Sequence, residues 1–197
     1  AEVTGNTHPE CNRYVHDVAA ALGLEGRLVH VKREDADFWR YMLRVGPPIF
    51  GPTRWCLTEF KRKAWLPHVW GSLAVMGVRA EESSYRARYL PLQRTWEGQF
   101  TIFPVFRWTR GRVLDYIREH GLRPNPCYSR YGHAGNCMFC PYYRKDMILR
   151  TLSDPEWRPI ITGALRAAPV RGPVQASIRD RWLRLAGQAT LPEVAAA

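Results

Sequence analysis

Three of the five cysteines fall between Asn125 and Asp146, in the run Asn-Pro-Cys-Tyr-Ser-Arg-Tyr-Gly-His-Ala-Gly-Asn-Cys-Met-Phe-Cys-Pro-Tyr-Tyr-Arg-Lys-Asp. Cys137 and Cys140 make a Cys-x-x-Cys step closed by Pro141, with Cys127 upstream in the same run. Two residues between thiols let one tight turn aim both sulfurs at a single metal or cluster, and the proline keeps that turn from closing into a regular helix. Cys56, in Pro-Thr-Arg-Trp-Cys, is a fourth thiol that a fold can return to the same place. Four thiolates, from Cys56, Cys127, Cys137 and Cys140, suit tetrahedral zinc or an iron–sulfur cluster. The competing reading is that they are reduced thiols that only pack, since free cysteine is among the most buried residue types. Cys-x-x-Cys spacing flanked by Gly and Pro argues against that. Zinc sites usually show two paired knuckles, so a single pair joined by distant thiols fits a 4Fe–4S cluster better, with zinc as the alternative. His133 is either a substitute ligand or a solvated loop histidine. Tyr128, Tyr131, Tyr142 and Tyr143 either stack on a base or shield a cluster.

The elements that position these residues alternate between helix and strand. Residues 1–6 read as the end of a strand and a turn. Thr7-His8-Pro9-Glu10 has the capping-box pattern, with Thr7 as N-cap. Cys11, Val15, Val18, Ala19 and Leu22 then share one helical face up to Gly23, so Cys11 is read as core and left out of the metal set. His8 is read as structural. Leu28–Val31 is a short strand candidate and Phe38–Val45 an aromatic-rich helix stopped by Gly46-Pro47-Pro48. Pro52-Thr53 opens another helix, with Thr53 as N-cap, which puts Cys56 near its first turn where the dipole stabilises a thiolate. Leu73–Val78 reads as a buried parallel strand ending in a polar loop, Arg79 to Arg86. Open α/β sheets bind ligands at such strand ends. Thr101–Phe106 is the next strand, and Thr109 caps a helix over 110–120. Further helices are expected over 142–152, after Asp154-Pro155, and along Val174, Ile178, Trp182 and Leu185. The residues from Thr190 onward read as frayed. The alternation predicts an α/β fold built on a parallel sheet.

The chain has 197 residues, of which 46% are hydrophobic and 24% charged, a globular composition. No run approaches the ~20 apolar residues of a membrane span. The odd number of cysteines, without small-scaffold spacing, points to a reducing cytoplasm. The net charge of +11 comes mostly from arginine, which suits bidentate contacts to phosphate or sulfate. Anionic partners follow, either a nucleotide or a nucleic acid, with a merely solvated basic surface as the alternative.

The ordered motifs Thr4-Gly5-Asn6-Thr7-His8-Pro9-Glu10, Arg54-Trp55-Cys56, Gly77-Val78-Arg79-Ala80-Glu81-Glu82-Ser83 with Arg86, Phe106-Arg107-Trp108-Thr109, Tyr116-Ile117-Arg118, Asn125-Pro126 and Cys137-Met138-Phe139-Cys140-Pro141 resemble the phosphoadenosine phosphosulfate reductase family. That family has the adenine-nucleotide α-hydrolase-like, Rossmann-like fold. The resemblance covers residues 4 to about 146. It implies a reductase-like domain over residues 1–152, the cysteine region included; residues 153–197 lie outside it and read as a helical extension. It implies an adenine nucleotide or sulfonucleotide at the carboxyl ends of a parallel sheet, and a 4Fe–4S cluster on cysteines placed like Cys56, Cys137 and Cys140. Arg79 and Arg86 would meet phosphate or sulfate oxygens, and Glu81, Glu82 and Ser83 would shape the loop; no catalytic residue is singled out. Three departures stand out. The family's Ser-Gly-Gly-Lys-Asp-Ser phosphate loop and first strand are absent from these residues and are expected upstream of residue 1. Without them, or a chain that supplies them, the expectation is weak nucleotide binding and no turnover. Trp55 stands where sulfate reductases often carry a second cysteine, and no cysteine follows Cys140. The implied activity is sulfonucleotide reduction. The alternatives are an ATP-dependent sulfur transferase acting on DNA or tRNA, and a non-catalytic iron–sulfur module that binds nucleic acid.

Overall fold

The computed structural model describes residues 1–51, 54–94 and 98–189. The chain divides into two compact units, Ala1–Ala64 with Asn125–Ala197, and Trp65–Pro124. The expected Thr53 cap and the stretch from Thr190 lie outside the described residues.

The first unit is helical. It contains α1 (Pro9–Ala21), α2 (Phe38–Val45), a π-helical segment (Cys56–Arg62) and the first two residues of α3 (Lys63–Val69), then α5 (Cys127–Tyr131), α6 (Lys145–Leu152), α7 (Trp157–Ala167) and α8 (Pro173–Ala186). α6, α7 and α8 pack on one another, and α2 packs on α7. Their buried faces form one core that includes Phe38, Met42, Phe60, Phe139, Ile148, Leu152, Ile161, Leu165 and Trp182. Caps fix the helix starts. Asp37 accepts from the amides of Trp39 and Arg40, and Asp154 from those of Glu156 and Trp157. α2 stops at Gly46 because φ there is +89°, and a Cβ would stand 2.3 Å from the Pro169 carbonyl. α1 is capped by His8 and not by Thr7 as expected: His8 Nδ1 accepts from the Glu10 amide. Thr7 is unavailable because its hydroxyl accepts from the Val3 amide and donates to the Asn136 carbonyl.

The second unit holds the sheet. β1 (Ala74–Val75), β2 (Leu92–Arg94) and β3 (Phe100–Ile102) are ordered β1-β3-β2, followed by α4 (Arg110–Glu119). β1 runs parallel to β3, with Ala74 opposite Thr101, and β2 runs antiparallel to it, with Gln93 opposite Thr101. The sheet is therefore small and mixed, not the wholly parallel one expected. β2 escaped notice because Leu-Gln-Arg is too short and polar to show alternation. β1 is shorter than the apolar run 73–78, and only one of its faces is covered: Ala74 is buried while Val75 is 65% exposed. Leu28–Val31 forms no strand among the described residues. Its Val31 carbonyl accepts a single bond from the Glu2 amide. Thr109 caps α4 as the sequence predicts, accepting from the Arg112 amide.

Candidate metal centre and anion loop

The Cys-x-x-Cys loop is held from below by the chain's first residues. Asn6 is fully buried and brackets the two residues between the thiols. Its side-chain amide donates to the Phe139 carbonyl (3.0 Å), its side-chain oxygen accepts from the Phe139 amide (2.8 Å), and its backbone carbonyl accepts from the Met138 amide (2.7 Å). The His8 amide donates to the Gly135 carbonyl and Thr7 to that of Asn136, so residues 6–8 and 135–139 run as one docked pair. Above the loop, Tyr143 donates its hydroxyl to the Cys137 carbonyl, and Arg181 from α8 fixes the Tyr143 carbonyl at 2.7 Å.

This frame gathers thiols. Cys137 lies close enough to Cys56 and to Cys140 for its charge to oppose the ionisation of either, and Cys56 acts likewise on Cys140. Burial is the larger effect: it pushes the Cys56 thiol up to about 11 and the Cys140 thiol up to about 12. Cys56 begins the π-helical segment, yet the helix start does not win against that burial. Lys61, one to two turns along, places its ammonium within electrostatic reach of Cys56 and Cys140. Phe38, Trp55, Phe60 and Phe139 form an aromatic wall, with ring centroids of Phe38 and Trp55 5.0 Å apart. Trp182 packs on Phe139 at 4.6 Å, and its indole N–H is buried without a partner among the described residues.

Cys127 begins α5 in the same unit and is buried. Its sulfur packs so tightly over Gly135 that a Cβ there would approach it to 2.6 Å. Its Sγ lies within 4.8 Å of ligand atoms of His8 and Glu10, a trio with metal-binding chemistry. Both His8 nitrogens are already engaged, however. Nδ1 takes the Glu10 amide. Nε2 faces the Tyr131 hydroxyl at 3.0 Å, which in turn donates to Asp154 at 2.6 Å. That leaves the imidazole no lone pair for a metal without loss of the α1 cap, consistent with the structural role expected of His8. His133 is neither solvated nor free to ligate. It is 5% exposed, stacks on Tyr143 at 4.2 Å, accepts from the Gly135 amide at Nδ1 and meets Thr151 at Nε2. Because the Thr151 hydroxyl donates to the Met147 carbonyl, His133 donates to Thr151 and is the neutral Nε2–H tautomer. Burial pushes its pKa down to about 4.

The anion loop belongs to the second unit. Arg79 pairs with Glu81 at 3.2 Å and with Glu82 at 3.8 Å, and Arg86 pairs with Glu82. Ser83 accepts from the Arg86 amide, and Glu81 also accepts from the Arg110 amide at the start of α4. The five residues do converge, but the guanidinium groups face carboxylates of their own loop. An incoming anion must displace those carboxylates.

No helix among the described residues is long and apolar enough to cross a membrane. The sequence is 30% identical over 79 residues to the phosphoadenosine 5'-phosphosulfate reductase of Salmonella choleraesuis (strain SC-B67), covering 40% of this chain and 28% of that protein. It is 27% identical over 112 residues to the enzyme of that name from Buchnera aphidicola subsp. Acyrthosiphon pisum (strain Tuc7), covering 56% of this chain and 40% of that protein. A 37.8 kDa uncharacterized protein of Escherichia phage 186 is 37% identical over 76 residues, covering 35% of this chain and 22% of that protein. The chain thus spans less than half the length of each of these relatives. The family model for the phosphoadenosine phosphosulfate reductase domain matches residues 3–143, a span holding both the clamped Cys-x-x-Cys loop and the Arg79–Arg86 loop, and the chain belongs to that family.

Proposed function

We propose that this chain handles a sulfonucleotide in a reduction, and that Cys56, Cys137 and Cys140 anchor a 4Fe–4S cluster. The observation that carries the cluster reading is the convergence of these half-buried thiols on a loop held by Asn6. A single Cys-x-x-Cys pair joined by a distant thiol favours a cluster over zinc, whose sites usually show two paired knuckles. The half-buried Lys61 ammonium suits the negative charge of a thiolate-bound cluster, and the unpartnered Trp182 N–H lies in the same aromatic shell. When bound, such a cluster would supply a redox-capable centre with sulfur coordination. The protein's own contribution there is to fix the thiols, exclude water with the aromatic wall, and surrender the thiol protons on ligation.

In the second unit, Arg79 and Arg86 supply donors for phosphate or sulfate oxygens once Glu81 and Glu82 release them, and stabilise charge on the departing group. The adenine nucleotide or sulfonucleotide is thus read as the substrate. The net charge of +11 favours a second reading, sulfur transfer to tRNA or DNA, in which binding falls steeply with salt as counterions are released.

Two measurements test this. Protein purified without oxygen should contain iron and acid-labile sulfide, and Cys137→Ser should contain neither; zinc without sulfide rules out the cluster. Calorimetry with phosphoadenosine phosphosulfate and with ATP should show a preference for the former that Arg79→Ala removes. Binding to tRNA that collapses between low and physiological salt, with no sulfonucleotide binding, supports the transferase instead.

A further inference from the structure

Away from the cysteine loop, two histidines and a carboxylate meet beside α1. His16 lies within α1 and His30 in residues 28–31, which form no strand, and both reach solvent. His16 Nε2 faces His30 Nδ1 at 3.3 Å, with the rings tilted by 55°. His30 turns its other nitrogen, Nε2, to Glu2 Oε2 at 3.0 Å. The same oxygen accepts from the Asn12 side-chain amide at 2.9 Å. Asn12 and His16 stand one helical turn apart and share a face of α1. The Glu2 amide also donates to the Val31 carbonyl at 2.8 Å. Glu2, its side chain 17% exposed, is thus fixed from the helix and from residues 30 and 31.

These contacts place the protons. A carboxylate only accepts, so His30 Nε2 carries the hydrogen, and in the neutral ring Nδ1 holds a lone pair. His16 Nε2 is then the donor between the rings. A histidine that gives one N–H to a carboxylate and presents its other nitrogen is oriented as metal-ligating histidines are. Two imidazole nitrogens on one tetrahedral zinc, with bonds of about 2.0–2.1 Å, stand about 3.3–3.4 Å apart. The nitrogens of His16 and His30 have that separation.

We propose that His16 and His30 form a zinc site, with Glu2 as the positioning residue that fixes the His30 tautomer. The ion replaces the hydrogen between the rings. His16 carries that hydrogen on Nδ1 instead of Nε2, so both rings stay neutral and no proton is released. Small ring rotations turn the two lone pairs toward one ion instead of toward each other. Glu2 is committed to the far nitrogen of His30, so water fills the remaining positions and the ion exchanges readily. Imidazole suits zinc and not magnesium, which takes oxygen ligands. The bound ion braces α1 against residues 28–31. The site shares no residue with the cysteine loop or the Arg79–Arg86 loop, and it does not rest on the function proposed above.

The test is zinc titration by calorimetry of the wild-type chain, His16→Ala, His30→Ala and Cys137→Ser. The wild-type chain should bind one zinc more than either histidine variant, and Cys137→Ser should keep that ion. Glu2→Ala should weaken it by about 10–100-fold, as loss of an outer-shell partner does. Glu2→Gln keeps an acceptor for the His30 Nε2–H and should restore part of the affinity. In proton NMR the ring signals of His16 and His30 should move with zinc and not with magnesium. Zinc should also raise the thermal midpoint of the wild-type chain more than that of His16→Ala, because an ion that binds only the folded state stabilises it. Both rings are exposed, so the alanine variants lose no core packing, and circular dichroism checks their fold. Equal zinc binding by the wild-type chain and His16→Ala overturns the proposal. So does loss of the ion in only one histidine variant, or ring signals that ignore zinc. Wild-type affinity in Glu2→Ala overturns the role given to Glu2.

Discussion

The two compact units hold their chemistry in opposite ways. In the first, the residues around the thiols are buried, and every hydrogen-bonding position of Asn6, His8 and His133 discussed above has a partner. Every member of the principal hydrophobic core lies there. In the second, the anion loop is tied together by ion pairs at the surface, and Trp70, Leu73, Val75, Leu90, Leu92 and Phe100 are all more than half exposed. A metal centre needs ligands fixed before the metal arrives, because a preformed frame reduces what binding must spend on ordering. An anion loop has the opposite need: its arginines must change partners when substrate comes, and weakly held surface pairs permit that.

If that contrast is right, core truncation should separate the units most sharply. Trp182→Ala removes a fully buried ring packed on Phe139 and should destabilise the protein by about 3–5 kcal/mol, read from the denaturant midpoint. Val75→Ala in the second unit, 65% exposed, should cost no more than about 0.5 kcal/mol. Similar losses for the two would break the comparison.

Asn6→Ala comes next. It leaves the Phe139 amide and carbonyl without their partners in a buried setting, which should cost about 2–4 kcal/mol. Hydrogen exchange should accelerate first at Met138 and Phe139, and metal retention should fall with it. Unchanged exchange there would mean the loop is held by its aromatic contacts alone.

The buried neutral His133 adds a pH dependence to the first unit. Its folded pKa is lowered to about 4, below the unfolded value of about 6.5, so the unfolded chain binds the extra proton over that interval. The contribution of the neutral ring is complete above about pH 6.5 and is lost as pH falls toward 4, by up to roughly 3 kcal/mol. Replacing His133 by Gln should flatten stability across that window. A slope that persists there belongs to another group.

How much of this was legible in the sequence differs between the units for the same reason. Local signals survived: Phe38–Val45, the Thr109 cap and the helices after Asp154 are set by composition, capping chemistry and 3.6-residue periodicity, which need no tertiary partner. What sequence could not show was the docking of residues 6–8 on residues 135–139: Thr7 carries a capping pattern, yet its hydroxyl donates to the distant Asn136 carbonyl. In the second unit the apolar run 73–78 promised a two-sided buried strand, but one face of β1 is left exposed at Val75, and periodicity does not reveal what packs on a strand.

The smallest stability effect is expected where the functional effect is most informative. Glu82 holds Arg86 and shares Arg79 with Glu81. The Arg86 side chain is exposed and those of Arg79 and Glu82 are partly so, and such pairs contribute about 0–1 kcal/mol, so Glu82→Gln should move the denaturant midpoint little. Its effect on anion binding should have the opposite sign from ordinary damage. The carboxylate competes with phosphate or sulfate for the same guanidinium groups, and neutralising it frees those donors while raising the local positive potential. Affinity for phosphoadenosine phosphosulfate should therefore rise, most clearly at low ionic strength where the Debye length exceeds the loop's dimensions. Arg86→Gln should lower affinity at equally small cost in stability. If Glu82→Gln instead weakens binding, the carboxylate touches the ligand directly, and the loop is already arranged as the first unit is, with its partners chosen before the substrate arrives.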